Sequence, residues 1–356
     1  MNFSNELIFF SGFAVFVIFV MMLDLGAFSK KESQIVKFKE AAFWSGVWVL
    51  LALTFYIFLR NYGYLIHDIS DASHLEAIRS KYYKALSLPD NYNEALFKFQ
   101  NNMALEYLTG YLVEYSLSVD NIFIFILIFN SFGVRKKHYK KVLVWGILGS
   151  IVLRFVFIFL GAALIQRFEW ILYIFGAFLV YTGIKILFSG DEEEEIDTKN
   201  HIAVKLTSRF FNVYEKYVAD NFFIRHKYKN NKFFITPLFV VIVVIAFTDV
   251  IFAVDSIPAI FSITKDPYIV FFSNVFAIMG LRSMFFFLVN IMGMFSYLKY
   301  GLGVLLSFIG IKMLAHHWLE AWGFTNVHSL LAIIGILAVS IAASLLFPPK
   351  EEGDAA

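Results

Sequence analysis

Cysteine is missing from all 356 residues, which removes disulfides, thiolate metal sites and any cysteine nucleophile at once. Charge is scarce too. Asp, Glu, Lys and Arg make up 16% of the chain against 59% hydrophobic residues, where a soluble domain has roughly 25% and 45–50%. The net charge is only +2, and the basic residues are sorted by connection instead of gathered into a patch, which excludes nucleic acid as a partner. The ten-residue alternation of an outer-membrane barrel is also lacking. Of the six prolines, only Pro258 stands deep in an apolar stretch. What is abundant is apolar and aromatic: 44 Phe, 18 Tyr and a mean hydropathy of +0.69 describe a helical bundle whose first partner is the lipid bilayer.

Apolar runs of spanning length, about 20 residues for a ~30 Å hydrocarbon core, lie near 6–25, 42–59, 104–130, 142–165, 169–188, 235–263, 268–290, 297–316 and 329–347. They predict an all-α membrane protein with about nine transmembrane helices. The first run has no basic residue before it, is too long for a signal peptide and ends in a basic loop, so it reads as a retained helix. Lys and Arg concentrate after the first, third and fifth runs: Lys30, Lys31, Lys37 and Lys39 in the first loop, Arg135, Lys136, Lys137, Lys140 and Lys141 in the second, and eight residues in the third. By the positive-inside rule those loops are cytoplasmic, placing the amino terminus outside and the carboxy terminus inside.

Two connections are long. In 60–107, Leu75, Ile78, Tyr82 and Leu86 recur at helical spacing, which predicts a short amphipathic helix on the outer surface. In 189–234, the acidic run from Asp191 to Glu195 gives way to a basic stretch ending near Lys232, and the reading is a solvated cytoplasmic loop.

Into this apolar background the chain places acids in pairs. Glu114 and Asp120 stand six apart, and so do Asp249 and Asp255, with Asn121 or Ser256 following the second acid of each pair. A carboxylate near the bilayer midplane costs about 2.5–3.5 kcal/mol on insertion scales, so such residues are read first as functional. The surroundings repeat as well. After Asp120 come Arg154 and Thr182-Gly-Ile-Lys185; after Asp255 come Arg282 and Ile309-Gly-Ile-Lys312. Each unit has three helices, and an odd number of crossings between copies makes them inverted, the architecture of secondary transporters with a midplane site. The domain division follows: 1–60 for the first two helices, 61–103 for the outer connection, 104–188 for repeat one, 189–234 for the cytoplasmic loop, 235–316 for repeat two and 317–356 for the last helix and tail.

Residues six apart on a helix point ~120° away from each other. For both acids of a pair to reach one ion the helix must unwind, with Ser116, Ser118 and Pro258 as its agents. Carboxylates, hydroxyls, an amide and opened carbonyls are hard oxygen donors suited to Mn²⁺, Mg²⁺ or Ca²⁺. The four acids and the two arginines leave a net charge of minus two, which one divalent cation neutralises. Structural ion pairing of the acids with Arg154 and Arg282 is the competing reading, and for the two arginines themselves it is the stronger one. Lys185 and Lys312 near helix ends read as snorkelling residues, His316 and His317 as surface residues, and Asp24 as either a cap or gate or an ordinary interface residue. Gly146, Gly149, Gly161, Gly176, Gly280 and Gly310 read as close-packing positions. An intramembrane aspartyl protease is disfavoured because no Gly-x-Gly-Asp surrounds Asp120 or Asp255, so no enzyme is expected.

The stretches Leu108–Asn121, Tyr173–Phe178, Asp249–Ala259, Leu281-Arg282 and Lys299–Leu302 resemble the signatures of the TerC/Alx family of bacterial inner-membrane proteins. The resemblance covers all nine runs and omits mainly the long outer connection. It implies Mn²⁺ export across the cytoplasmic membrane, with Mn²⁺ as transported substrate, and a link to tellurium resistance. It also implies that the acidic positions correspond to Glu114, Asp120, Asp249 and Asp255, with Asp24 as a weaker fifth. The metal set expected is therefore these five acids with Ser116, Asn121 and Ser256, and Arg154 and Arg282 as counter-ions. Beyond the bilayer and the metal ion, a homo-oligomer or the machinery of exported metalloenzymes remain open as partners, and a membrane scaffold in metal or tellurite stress is the rival function.

Overall fold

The structure is a computed structural model that describes residues 5–24, 38–168, 170–188, 221–226, 232–289, 297–315, 318–319 and 322–346, with scattered positions between 204 and 218. The side chains of Asp24, Asp120 and Asp255 lie outside the described residues, as do His316, His317, the acidic run 191–195 and the tail from 347. In chain order the elements are α1 (Asn5–Asp24), α2 (Phe38–Tyr62) with a 3₁₀ turn (Gly63–Leu65), α3 (Ala72–Tyr82), α4 (Tyr92–Ser131), α5 (Lys136–Arg167), α6 (Ile171–Phe188), β1 (Phe223–His226), β2 (Lys232–Ile235), α7 (Pro237–Phe261), α8 (Pro267–Leu288), α9 (Leu298–Leu314) and α10 (Asn326–Leu346).

Six of these are long and apolar enough to cross a membrane: α2 with its 3₁₀ turn, α5, α6, α7, α8 and α10. Shorter apolar stretches, Phe9–Leu23 and Tyr300–Leu314, lie in α1 and α9. The 40 residues of α4 make a rod about 60 Å long, twice the ~30 Å of hydrocarbon. It begins twelve residues before the apolar run because Asn91 caps it, its side chain accepting from the N–H groups of Asn93 and Glu94. It ends where Gly133, at φ +60°, turns the chain toward α5.

Nearly every residue of α8 is buried, as expected of a central helix that is apolar all round. It packs on α2, α4 and α5. Phe272 and Phe276 of α8 meet Phe13 of α1 and Phe55 of α2, with Phe13–Phe272 centroids 4.8 Å apart and Phe55–Phe276 4.9 Å. While α4 lies against α8, α7 lies against α5, and α4 also crosses α7. The closest pairing is α6 with α9. A Cβ built at Gly310 would stand 2.6 Å from the Gly176 carbonyl oxygen, and one at Gly183 2.6 Å from that of Gly303. Backbone therefore meets backbone along an antiparallel seam, an approach only glycine permits.

The amphipathic helix expected in the outer connection is α3, held at its start by Asp71, whose carboxylate accepts from His74 N–H at 2.8 Å. Leu75 is buried, and Ile78, Tyr82 and Leu86 pack on the same core. Three expectations are corrected. The connection 189–234 is not wholly a solvated loop, because β1 and β2 pair antiparallel from Phe223↔Ile235 to His226↔Lys232. Its apolar residues draw it onto the base of α7: Ile235 is fully buried and the Phe223 ring lies 4.7 Å from that of Phe239. Nor do the acid-bearing helices unwind. Ser116 and Ser118 sit inside continuous α4, and Pro258 falls in the last turn of α7, where the missing donor interrupts little of the ladder. Lys312 does not snorkel, since its Nζ is buried and has no hydrogen-bond partner among the described residues.

Candidate functional site

The two acid-bearing helices meet at an arginine. Arg154, on α5, is 1% exposed, and its planar guanidinium has five N–H donors in a fixed fork. Two of them grip Asp249 of α7 side by side, Nε to Oδ2 at 2.9 Å and Nη2 to Oδ1 at 3.0 Å. This is the bidentate geometry that makes Arg–carboxylate pairs strong. Nη1 donates to Glu114 of α4, to Asn274 Oδ1 of α8 at 2.7 Å and toward Ser256 Oγ of α7 at 3.3 Å. Four helices thus converge on one cation.

Local geometry explains the convergence. Asp249 and Ser256 are seven residues apart, two turns, and share a face of α7. Asn274 is oriented by its own helix, because Nδ2 donates to the Val270 carbonyl at 2.8 Å and leaves Oδ1 toward Arg154. The acids meet across α4 and α7, one from each sequence pair, so no unwinding is needed. Glu114 is fully buried, and its Oε2 has no hydrogen-bond partner among the described residues. Two carboxylates and one guanidinium leave this cluster with a formal charge of minus one. Its remaining acceptors are a hydroxyl and an amide, all oxygen.

Of the residues expected at the site, Glu114, Asp249, Ser256 and Arg154 are brought together. Ser116 and Asn121 are buried on α4 but are not partners of Arg154. Arg282 is buried on α8. The side chains of Asp24, Asp120 and Asp255 are outside the described residues, and among the described residues no group of three or more His, Asp or Glu is placed to hold a metal ion. Asn274 was not anticipated, although Ser273-Asn274 is a polar break in an otherwise apolar run.

A second polar cluster, also unanticipated, sits at the α3 end of the bundle. Asp266 caps α8 by accepting from Tyr268 N–H at 3.0 Å. Its Oδ2 also takes His67 Nε2 at 2.6 Å and the Tyr83 hydroxyl at 2.8 Å. Burial by itself would push this carboxyl up, but the His67 charge and these hydrogen bonds leave it below the usual carboxylate range. Burial, with the Asp266 and Glu106 charges, pushes the Tyr83 hydroxyl well up. Nearby, Glu106 Oε1 accepts from Asn102 at 2.8 Å and Asn326 at 3.1 Å, with buried Lys312 within electrostatic reach.

Residues 99–352 match the model described as the integral membrane protein TerC family. The chain is 39% identical over 340 residues to an Escherichia coli K12 protein named Alx and given as a proposed membrane-bound redox modulator, covering 96% of this chain and 95% of that one. It is 38% identical over 348 residues to the membrane protein STKORF319 of Myxococcus xanthus, covering 97% and 95%. A Rickettsia felis membrane protein is 35% identical over 327 residues, covering 92% and 94%. None of these names describes an enzyme. No solved structure matches.

Proposed function

The chain belongs to the TerC family of integral membrane proteins, and from that premise we propose that it exports a divalent metal cation, Mn²⁺, across the bacterial cytoplasmic membrane. The observation that carries the reading is Arg154 held between Glu114 and Asp249 inside the bundle. A buried cation shared by acids from two different helices is what an ion-carrying site needs when its cargo is away: a resident positive charge that keeps the carboxylates compensated. Glu114, Asp249, Ser256 and Asn274 supply hard oxygen ligands. In this reading Asp120, Asp255, Ser116, Asn121 and Asp24 extend the metal path and Arg282 is a second counter-ion. Hard donors suit Mn²⁺ over softer ions and do not by themselves exclude Mg²⁺ or Ca²⁺; the family resemblance favours Mn²⁺.

The transport mechanism we infer is alternating access between inverted repeats, α4–α6 and α7–α9. Its support is the symmetry of the packing. Exchanging the repeats turns the α4–α8 contact into the α7–α5 contact and maps the α6–α9 seam onto itself, with Gly176 opposite Gly310 and Gly183 opposite Gly303. Such isologous pairing is what a twofold relation produces. The α3 end is then extracytoplasmic and the β-hairpin end cytoplasmic. A cysteine-free chain has no thiol to carry electrons, so a redox effect of the kind ascribed to Alx would be secondary to the metal moved. Purified protein in liposomes tests this: wild type should move Mn²⁺ down an imposed gradient, and Asp249→Asn and Glu114→Gln should not. Wild-type flux no greater than that of protein-free liposomes would overturn the reading and favour a scaffold in metal or tellurite stress.

A further inference from the structure

At the α3 end of the bundle an acid and a base are buried within electrostatic reach of each other, outside the Arg154 cluster. Glu106 comes from α4 and Lys312 from the last turn of α9. Glu106 is buried, as is the Lys312 Nζ, and each feels the other's charge. Yet no hydrogen bond closes the pair. Glu106 Oε1 accepts from Asn102 at 2.8 Å and from Asn326 at 3.1 Å, while Glu106 Oε2 and Lys312 Nζ have no hydrogen-bond partner among the described residues. A buried ion pair kept only for structure is stable when its geometry is good and its other lone pairs and protons are satisfied. Here capacity is left over on both partners.

The surroundings limit what Oε2 can bind. Asp266 is the other acid near Glu106, and its oxygens are engaged: Oδ1 accepts from Tyr268 N–H, and Oδ2 takes His67 Nε2 and the Tyr83 hydroxyl. The titratable groups around Glu106 are thus Lys312 from α9 and Asp266 from the α7–α8 turn, with His67 and Tyr83 behind it; α10 presents the neutral Asn326. One open carboxylate oxygen beside an ammonium is too little for a divalent cation, which needs several oxygen ligands. It suffices for a proton, and an ionisable residue within a membrane bundle is read as part of an ion or proton path. In the alternating-access reading, on which this step rests, Glu106 belongs to the first repeat and Lys312 to the second. Rocking therefore separates and rejoins them once per cycle. A carboxylate beside an ammonium holds a proton less tightly than one standing alone. We infer that Glu106 carries a counter-transported proton, one inward for each Mn²⁺ outward. An O–H bond forms at Oε2 with a proton from the extracytoplasmic side when the repeats part, and it breaks toward the cytoplasmic side when Lys312, an ammonium throughout, returns.

Full-length protein in liposomes, with the membrane potential clamped at zero by potassium and valinomycin, tests the assignment. Mn²⁺ starts equal on the two sides and the lumen is about one pH unit more acidic than the bath. Wild type should then concentrate Mn²⁺ inside up to about tenfold, the limit for one proton exchanged per ion. A luminal pH dye should report alkalinisation that begins when Mn²⁺ is added. Glu106→Gln should lose both signals while still passing Mn²⁺ down its own gradient at equal pH, and Glu106→Asp should restore them. Should Glu106→Gln fail to fold because Lys312 is left alone, Glu106→Gln with Lys312→Met removes both charges and takes its place. Accumulation driven by the pH gradient in either neutralised variant would overturn the inference. So would a wild type that passes Mn²⁺ downhill but neither concentrates it under the gradient nor moves protons, a result that leaves the export reading standing. Absence of any Mn²⁺ flux in wild type would remove the export reading and this inference with it.

Discussion

Removing Arg154 should harm the protein more than removing either acid it holds. In Arg154→Gln, Glu114 and Asp249 stay buried with no guanidinium between them, and the cluster goes from a formal charge of minus one to minus two. Breaking a buried ion pair from one side costs about 3–5 kcal/mol. Asp249→Asn keeps Arg154 paired with Glu114 and bonded to Asn274. It loses the charge-assisted character of the 2.9 and 3.0 Å fork, a loss of about 1.5–3 kcal/mol. The neutral combination Arg154→Gln, Glu114→Gln, Asp249→Asn has no uncompensated charge and should recover much of what Arg154→Gln alone loses, because uncharged replacements of buried ion networks are often tolerated. Unfolding in mixed micelles with a denaturing detergent, followed by circular dichroism, ranks the variants. The expected order of stability is wild type, Asp249→Asn, then Arg154→Gln, with the neutral triple above Arg154→Gln. If Arg154→Gln is no less stable than Asp249→Asn, or the triple is no better than the single, electrostatic compensation is not what Arg154 provides.

Gly310→Val should lose about 1–3 kcal/mol by overpacking, since its Cβ would stand 2.6 Å from Gly176 O and 2.7 Å from Val180 N. In contrast Gly335→Ala, with nothing within 4 Å, should be neutral or up to ~1 kcal/mol stabilising; similar losses at both sites in the micelle assay would remove the seam argument. Asp266 has its folded pKa held below the unfolded value, so its contribution is present above that unfolded value, near ~3.9, and is lost as pH falls through the folded pKa. His67→Gln removes the charge that helps hold it down, so the variant should start less stable near neutral pH and lose less stability than wild type as pH falls below the unfolded value; melting curves recorded downward from neutral pH that superpose on wild type would dismiss the pair as a stabiliser. Asn274→Leu should cost ~1–3 kcal/mol by withdrawing an acceptor from a buried charge and should lower Mn²⁺ flux in liposomes, and wild-type values of both would place Asn274 outside the site.

The acids were legible because charge is conspicuous in apolar sequence: Glu114, Asp249 and Arg154 announce themselves by composition alone. Their partnership across helices was not, because spacing along one helix says which face a residue occupies and nothing about which helix lies opposite. Spacing alone therefore points to unwinding where crossing suffices. Ser256 was found by proximity to an acid; Asn274, alone on α8, had only its polarity to mark it. The cluster of His67, Tyr83, Asp266 and Glu106 was hidden for a different reason. Its members come from connections and helix ends, where polar residues are ordinary, and only tertiary contact buries them. Asp266 before Pro267 does carry the signature of a helix start, but not of its partners 199 and 183 residues away. The glycine seam was half visible, in Gly176 and Gly310. Gly183 and Gly303 complete it because an antiparallel partner turns one seven-residue spacing against another.

The Nη1 nitrogen of Arg154 has two hydrogens and three acceptors around it: Glu114, Asn274 and Ser256. The longest contact, at 3.3 Å, is to Ser256, which is also the one acceptor of the three that has a proton of its own to give. Whenever Nη1 points its hydrogens at the carboxylate and the amide, the Ser256 hydroxyl is at liberty to donate toward Glu114. Rotation of a single C–O bond therefore redistributes the hydrogen bonds without moving any backbone. A guanidinium bound this way can be handed off in stages, one acceptor at a time, so its withdrawal from the acids never requires every bond to break in the same instant.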